Sequence, residues 1–311
     1  IRSQMFQPMA NNMRGTFNFL GRWTNVPFAD LLLGLLDSAT RQLDWNRTYT
    51  FATNTGFFVQ DDYKIRPRLT LNLGLRYELN VPIYDKYDRF GNFVLGLDKL
   101  VIADNRALPD LDQRLAAAGL TGRTALARDV GLPRSLTFAQ KRNFAPRFGL
   151  AWRPFGNRLV VRGGYGIYYA GSFLNSIKND LGATFPFVVN QTFSRVATNP
   201  NALTLANPFP ADRATISGVT TANGFETRPP AQYMQAWNLT LERELKAGLA
   251  VEAGYTGSKG THLGRRYNIN QPFRVLELRL PTGSFPRPYA GFNTINYTAF
   301  GSNSMYNAGV F

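Results

Sequence analysis

The chain has 311 residues, room for one large β domain or two ordinary ones, and its 35 Lys and Arg against 20 Asp and Glu give a net charge of +15. It has no cysteine, which excludes disulfides, thiolate metal sites and cysteine nucleophiles. No apolar run reaches transmembrane-helix length; the longest, Phe28 to Leu36, is broken by Asp30 and Gly34. The basic residues are scattered rather than blocked. The aromatics alternate along strands instead of interleaving with a basic cluster, so nucleic acid is not the expected partner.

The N-terminal IRSQMFQPMANNMRG lacks the apolar core and cleavage site of a signal peptide. It does not begin with Met, and the chain stops soon after a new alternating pattern starts, so both ends read as cuts in a longer protein. Residues 13–20, MRGTFNFL, are a strand candidate, and 21–50 a long connection holding FADLLLG. From Gly56 to Glu78 the chain reads as a hairpin. Leu69, Leu71, Leu73, Leu75 and Tyr77 fall on one face, and Thr70, Asn72, Gly74, Arg76 and Glu78 on the other. Arg66-Pro67-Arg68 marks the turn, because Pro fixes φ and donates no ladder hydrogen bond. Each arm is about ten residues tall, the length of a tilted strand crossing a bilayer.

Residues 79–142 read as a long, charged, irregular insert, with a short helix in the Ala- and Leu-rich Leu111 to Val130. A second hairpin follows over 143–170. It pairs Trp152 with Val161, Phe148 with Tyr165 and Leu150 with Gly163 around a turn at Pro154 to Arg158. Residues 171–231 form another long insert. A third hairpin places Trp237, Leu239, Leu241, Leu249, Val251, Ala253 and Tyr255 on its apolar face, with a turn at Lys246-Ala247-Gly248. After a connection over 259–290, FNTINYTAF and SMYNAGVF read as two arms around Gly301-Ser302-Asn303.

Long and short connections alternate along the whole chain. An outer-membrane barrel requires that sorting, with tight periplasmic turns at one end and long extracellular loops at the other. The expected fold is all-β: a partial antiparallel transmembrane β-barrel of about nine strands. The competing reading is a soluble or surface-attached β-rich binding module of glycan-binding type, whose apolar faces form a sandwich core.

The expected lumen-facing polar residues are Gln60, Asp62, Asn72, Arg76, Glu78, Arg147, Arg162, Asn238, Thr240, Glu242 and Glu252. Asp61-Asp62 with Glu78 reads as part of a charge ladder rather than as a paired-carboxylate site, with Asp62 opposite Asn72 and Asp61 near the periplasmic rim. His262, the only histidine, has no His or Cys to share a metal with. The run Gly163-Gly164-Tyr165-Gly166 lies inside a strand, not before a helix, so it is no phosphate loop. Trp152, Tyr165, Tyr169, Trp237 and Tyr255 are candidates for the aromatic girdles. No catalytic residue, cofactor or metal is expected, and the chain is not read as an enzyme.

The segment FFVQDDYKIRPRLTLNLGLRYE is similar to the F-x-Q-D-D-W/Y-K … L-T-L-N-x-G-L-R-Y-E segment of TonB-dependent outer-membrane receptors. With FADLLLG, NFAPRFGLAWRPFGNRLVVRGGYGIYY, QAWNLTLERELKAGLAVEAGYTGSKGTHL and NSMYNAGVF it resembles the Oar-like TonB-dependent transporters. The resemblance implies that residues 1–311 are part of a plugged barrel of about 22 strands. The plug, the regulatory-like N-terminal domain and the barrel closure would lie outside the chain. It implies the outer membrane of a Gram-negative-type bacterium, contact with outer-membrane lipid and lipopolysaccharide, a TonB-type inner-membrane energy complex acting through the plug, and a transported substrate that the sequence does not specify.

Overall fold

The computed structural model describes residues 2–8, 14–43, 47–106, 108–156, 158–170, 180–182, 184–217, 221–245, 249–272 and 286–311. In chain order the elements are β1 (Arg2–Pro8), β2 (Thr16–Asn18), α1 (Pro27–Leu32), β3 (Ser38–Gln42), β4 (Arg47–Arg66), β5 (Leu69–Asp85), β6 (Gly91–Val94), β7 (Lys99–Ile102), α2 (Leu111–Ala117) and β8 (Thr124–Leu126). Then follow β9 (Gln140–Trp152), β10 (Leu159–Tyr169), β11 (Asn190–Ser194), β12 (Thr215–Ser217), β13 (Thr221–Phe225), β14 (Tyr233–Glu244), β15 (Ala250–Asn268) and β16 (Thr294–Val310).

One open sheet of nine strands, ordered β1-β4-β5-β9-β10-β14-β15-β16-β13, forms a wall. All of its neighbours pair antiparallel except β13, which joins β16 in parallel. The hairpins lie where alternation and turn residues put them, and the expected pairs of Trp152 with Val161, Phe148 with Tyr165 and Leu150 with Gly163 are all present. Long connections join the wall strands at one end and short ones at the other, the sorting expected of a barrel wall.

Four expectations are corrected. The first wall strand is β1, not residues 13–20; within that stretch β2 belongs to a small sheet, β12-β11-β3-β2, inside the connections. No turn occurs at Gly301-Ser302-Asn303: β16 runs unbroken for 17 residues, because its cross-strand pairing with β15 continues past that point. The first hairpin is taller than one bilayer crossing, with arms of 20 and 17 residues. The long connections are packed rather than irregular. The turn residues Lys246-Ala247-Gly248 and Asn157 lie outside the described residues.

Most of the buried core sits in the connections, joined by Ile83 of β5 and Ile295 and Phe300 of β16. Phe93, Leu100, Ile102, Leu111, Leu115 and Leu120 of the second connection pack with Phe185, Phe187 and Val189 of the third and Phe292 of the fourth. Leu36 and Ala39 of the first pack with Phe193 and Leu203 of the third. The helix expected between 111 and 130 is α2, whose Leu111 and Leu115 supply its buried side. All four connections thus fuse into one head at the loop end of the wall.

Buried polar side chains fasten that head to the wall. Asn92, fully buried, donates from Nδ2 to the Phe225 carbonyl at 3.1 Å and accepts the Phe225 N–H on Oδ1 at 2.7 Å. It treats β13 as a neighbouring strand would. On β13 the next position inward is Gly224, where a Cβ would stand 2.6 Å from the Tyr297 ring and 2.7 Å from the Phe93 carbonyl oxygen. Asp85, at the end of β5, accepts the N–H groups of Tyr49, Tyr87 and Arg89 at 2.6, 2.9 and 3.2 Å. Burial pushes its carboxyl above the usual carboxylate range, against the pull of those donors and of the Arg89 charge.

Replacing Asn92 by Leu orphans both groups of Phe225, each at about 1–3 kcal/mol. Limited proteolysis of isolated outer membranes is expected to cut the 86–139 connection much faster in Asn92→Leu, with the wall intact. The Asp85 shift fixes a sign. The fold holds this proton more tightly than the unfolded chain does, so the contribution of Asp85 to stability falls as pH rises from 3.8 through its raised folded value. Urea unfolding in detergent is expected to show Asp85→Asn gaining on the parent protein over that interval.

Candidate functional site

Opposite residues of paired strands share a face, so the registers map both faces of the wall. On one face Leu69 stands opposite Trp152, Trp152 opposite Val161, Val161 opposite Leu241, and Leu241 opposite Ala253. Two residues up each strand, Leu71, Leu150, Gly163, Leu239 and Tyr255 repeat the pattern. Next come Leu73, Phe148, Tyr165 and Trp237. The row nearest the head is aromatic: Phe57 faces Tyr77, Tyr77 faces Phe144 with ring centroids 5.0 Å apart, and Tyr169 faces Tyr233 at 5.8 Å.

This face is mainly apolar and uncovered, with Asp61, Gln235 and Lys259 among its polar members. Leu73, Leu75, Phe144, Phe148, Trp152, Leu239 and Leu241 keep 43–53 % of their surface exposed, whereas Phe90, Phe93 and Phe193 in the head keep none. From the Leu159 level to the Tyr77 level there are six rows, hence five steps of two residues. At ~3.4 Å per residue and a tilt of ~40° they span about 26 Å, the height of an outer-membrane apolar band.

The opposite face collects every expected lumen residue: Gln60, Asp62, Asn72, Arg76, Glu78, Arg147, Arg162, Asn238, Thr240, Glu242 and Glu252 all share it by register. Asn72 Nδ2 donates to Asp62 Oδ1 at 2.5 Å, as the cross-strand position demands. Arg76 Nε lies 2.6 Å from Glu78 Oε1, and its guanidinium occupies the space that a side chain at Gly56 would fill. Arg162 and Glu242 are 3.7 Å apart, with Glu252 directly opposite Glu242. The Arg147 guanidinium stacks 4.8 Å above the Tyr168 ring, which itself lies across Gly166. Between them, Gly74 leaves a groove of about 210 Å³ walled by Phe58, Gln60, Arg76 and Arg147. Phe58 falls on this face as its alternation with Gln60 and Asp62 expects, and Tyr168 joins it by register, unassigned from the sequence. The two-residue period alone places Tyr168 there.

Several other residues sit elsewhere than expected. Asp61 is not at the rim: it stands opposite Leu73, level with Phe148 and Trp237, midway up the apolar face. Of the girdle candidates, Trp152 lies at the turn end and Tyr169 at the loop end, while Tyr165, Trp237 and Tyr255 occupy middle rows. The loop-end girdle gains Phe57, Tyr77, Phe144 and Tyr233 instead. His262 lies within β15, at a bulge, with φ of 57°; its Nδ1 donates to the Ala231 carbonyl at 3.0 Å. Among the described residues no three His, Asp or Glu side chains converge on a common point.

Residues 1–311 match the family described as outer membrane beta barrel domain. The chain belongs to that family. Comparison with curated proteins gives no match. Membership accounts for the uncovered apolar face: lipid, not a second sheet, covers it. The barrel domain resides in the outer membrane, and the soluble sandwich reading is set aside, since among the described residues nothing packs on that face.

The two faces answer differently to charge. Leu73→Arg, in the middle of the lipid-facing side, is expected to cost about 2–4 kcal/mol. Thr240→Arg, on the polar side, is expected to stay within about 0.5 kcal/mol. Unfolding of each variant in detergent or liposomes checks the contrast.

Proposed function

We propose that this barrel domain is part of a TonB-dependent outer-membrane transporter of the Oar-like kind. The wall carries the polar lining of a plugged lumen, and the head of fused loops meets the substrate. The observation that supports this most is the placement of the resembling blocks. FFVQDDYKIRPRLTLNLGLRYE spans β4 and β5, NFAPRFGLAWRPFGNRLVVRGGYGIYY spans β9 and β10, and QAWNLTLERELKAGLAVEAGYTGSKGTHL spans β14 and β15. Each block thus covers the turn and the flanking arms of one hairpin, and each hairpin feeds a long connection into the head.

In this reading the face bearing Arg76, Arg147 and Arg162 lines the lumen, and energy arrives from an inner-membrane complex through a plug. The protein moves cargo and performs no bond chemistry. The substrate contacts lie on the head, whose first connection exposes Phe28, Leu32 and Leu33 at 64–72 % while burying Asp30. Asp30 is held by the Thr24 hydroxyl at 2.7 Å and the Thr24 N–H at 3.0 Å, so α1 turns its apolar side outward.

The test uses the protein made from its complete gene and purified from outer membranes. It is expected to retain the soluble C-terminal domain of the same bacterium's TonB protein in a pull-down. A protein that folds, shifts in gel mobility on heating and yet never retains that domain overturns the transporter reading.

A further inference from the structure

Arginines gather where the apolar face meets the short turns. By register Arg66 stands opposite Leu69, in the row of Trp152 and Leu241, and Arg243 stands opposite Leu159 and Val251 one step lower. Both therefore sit on the lipid-facing side, in its last rows. Arg68, Arg153 and Arg158 lie in the turns beside them, all exposed. Arg153 is tied to the neighbouring turn, its Nη2 donating to the Pro67 carbonyl at 3.2 Å and its N–H to the Arg68 carbonyl at 2.9 Å. Among the described residues Arg66, Arg68, Arg158 and Arg243 form no ion pair. The nearby carboxylates are engaged or few: Glu242 faces Arg162 on the other side of the wall with Glu252, leaving Glu244 at this end. From β4 to β14 the arc covers four strand spacings of ~4.8 Å, about 19 Å.

An arginine in the outermost row of a lipid-facing band extends its aliphatic stem along the apolar surface and places its guanidinium at headgroup depth. Guanidinium matches phosphate with two parallel hydrogen bonds. Phe155, exposed, lies beside Arg158 and Arg243, and Leu249, just before β15, is exposed too. In an outer-membrane barrel the short turns face the periplasm, so the phosphates at this depth belong to the inner leaflet, where glycerophospholipids lie.

We propose that Arg66, Arg68, Arg158 and Arg243 form a collar that binds the headgroups of anionic glycerophospholipids in the periplasmic leaflet. The inference rests on the barrel's place in the outer membrane and holds whether or not the protein is a transporter.

The protein from its complete gene, in neutral detergent, is equilibrated with equal amounts of phosphatidylglycerol, phosphatidylcholine and lipid A, and the retained lipids are counted by native mass spectrometry. Phosphatidylglycerol is expected over phosphatidylcholine by about fivefold or more, the factor that one basic residue supplies at an anionic surface. The preference is expected to fall close to one in R66Q/R68Q/R158Q/R243Q and to persist in the corresponding quadruple Lys variant and in R22Q/R195Q at the loop end. Equal retention by the parent protein, a preference for lipid A that the quadruple Gln variant keeps, or an unchanged phosphatidylglycerol preference in that variant overturns the collar. If the Gln variant does not fold, salt decides: at about 0.5 M the parent's preference must fall towards one, and its persistence overturns the proposal.

Discussion

The two-residue period of a β-strand, carried in register from β4 to β15, is the constraint on which everything else here depends. A slip of one residue in any pair would put leucines on the polar face and arginines on the lipid-facing one. The register shifts are placed accordingly. On β4 and β5 they fall between Phe51 and Thr53, at the head, and between Lys64 and Arg66, at the turn. On β5 and β9 the shift comes after Glu78, and on β15 and β16 between Gly260 and Arg265. The rows from Leu71 to Tyr77 lie between these irregularities, and through them the ladder is unbroken. The irregularities thus fall towards the two ends of the ladder, the one at Lys64 in the last rows beside the turn.

The molecule is consequently built from two regions with opposite rules. In the wall, apolar side chains stay uncovered on one face, and the other is polar across Asp62, Arg147 and Glu242. In the head, large apolar side chains such as Phe90, Phe93 and Phe193 point inward and are fully buried, as in a water-soluble domain, with the α1 side chains Phe28 and Leu32 left exposed. The boundary between the two must satisfy backbone groups that neither rule covers. Asp85 and Asn92 do this with side-chain oxygen and nitrogen, and Asn270 does it for the last connection, donating to the Tyr289 and Phe292 carbonyls at 3.0 and 2.6 Å and accepting the Tyr289 N–H at 2.8 Å. Arginine pairing adds to it: Arg266 reaches Asp180 at 2.8 Å and Asn223 at 3.0 Å, tying β15 to the third connection. A loop end fixed this firmly gives the head a defined surface above the wall.

The wall was legible in the sequence because strand periodicity is a local signal. Leu69 to Tyr77, Phe148 to Trp152 and Trp237 to Leu241 each announce their face within a few residues, and Pro67 and Gly156 announce the turns. The polar face followed for the same reason. What was not legible depended on partners distant in the chain. Asn92 reads as an ordinary residue beside glycine until Phe225 lies against it, and β1 and β13 carry no alternation strong enough to mark them as wall strands. Gly301-Ser302-Asn303 looked like a turn on composition; β15 as a partner held that segment extended. Asp61 was expected at the rim from its nearness to the turn, yet its place opposite Leu73 sets it two rows above Leu69.

The face assignment is the central claim, and the 311-residue chain offers a direct test because it contains no cysteine. Single cysteines placed at each position from Leu71 to Arg76 in the outer-membrane protein would be exposed to a charged, water-soluble maleimide. Reaction at positions 72, 74 and 76, with protection at 71, 73 and 75, is the predicted pattern: water on the polar side and lipid on the leucines. Uniform labelling, or protection of the even positions with labelling of the odd ones, would contradict the wall described here.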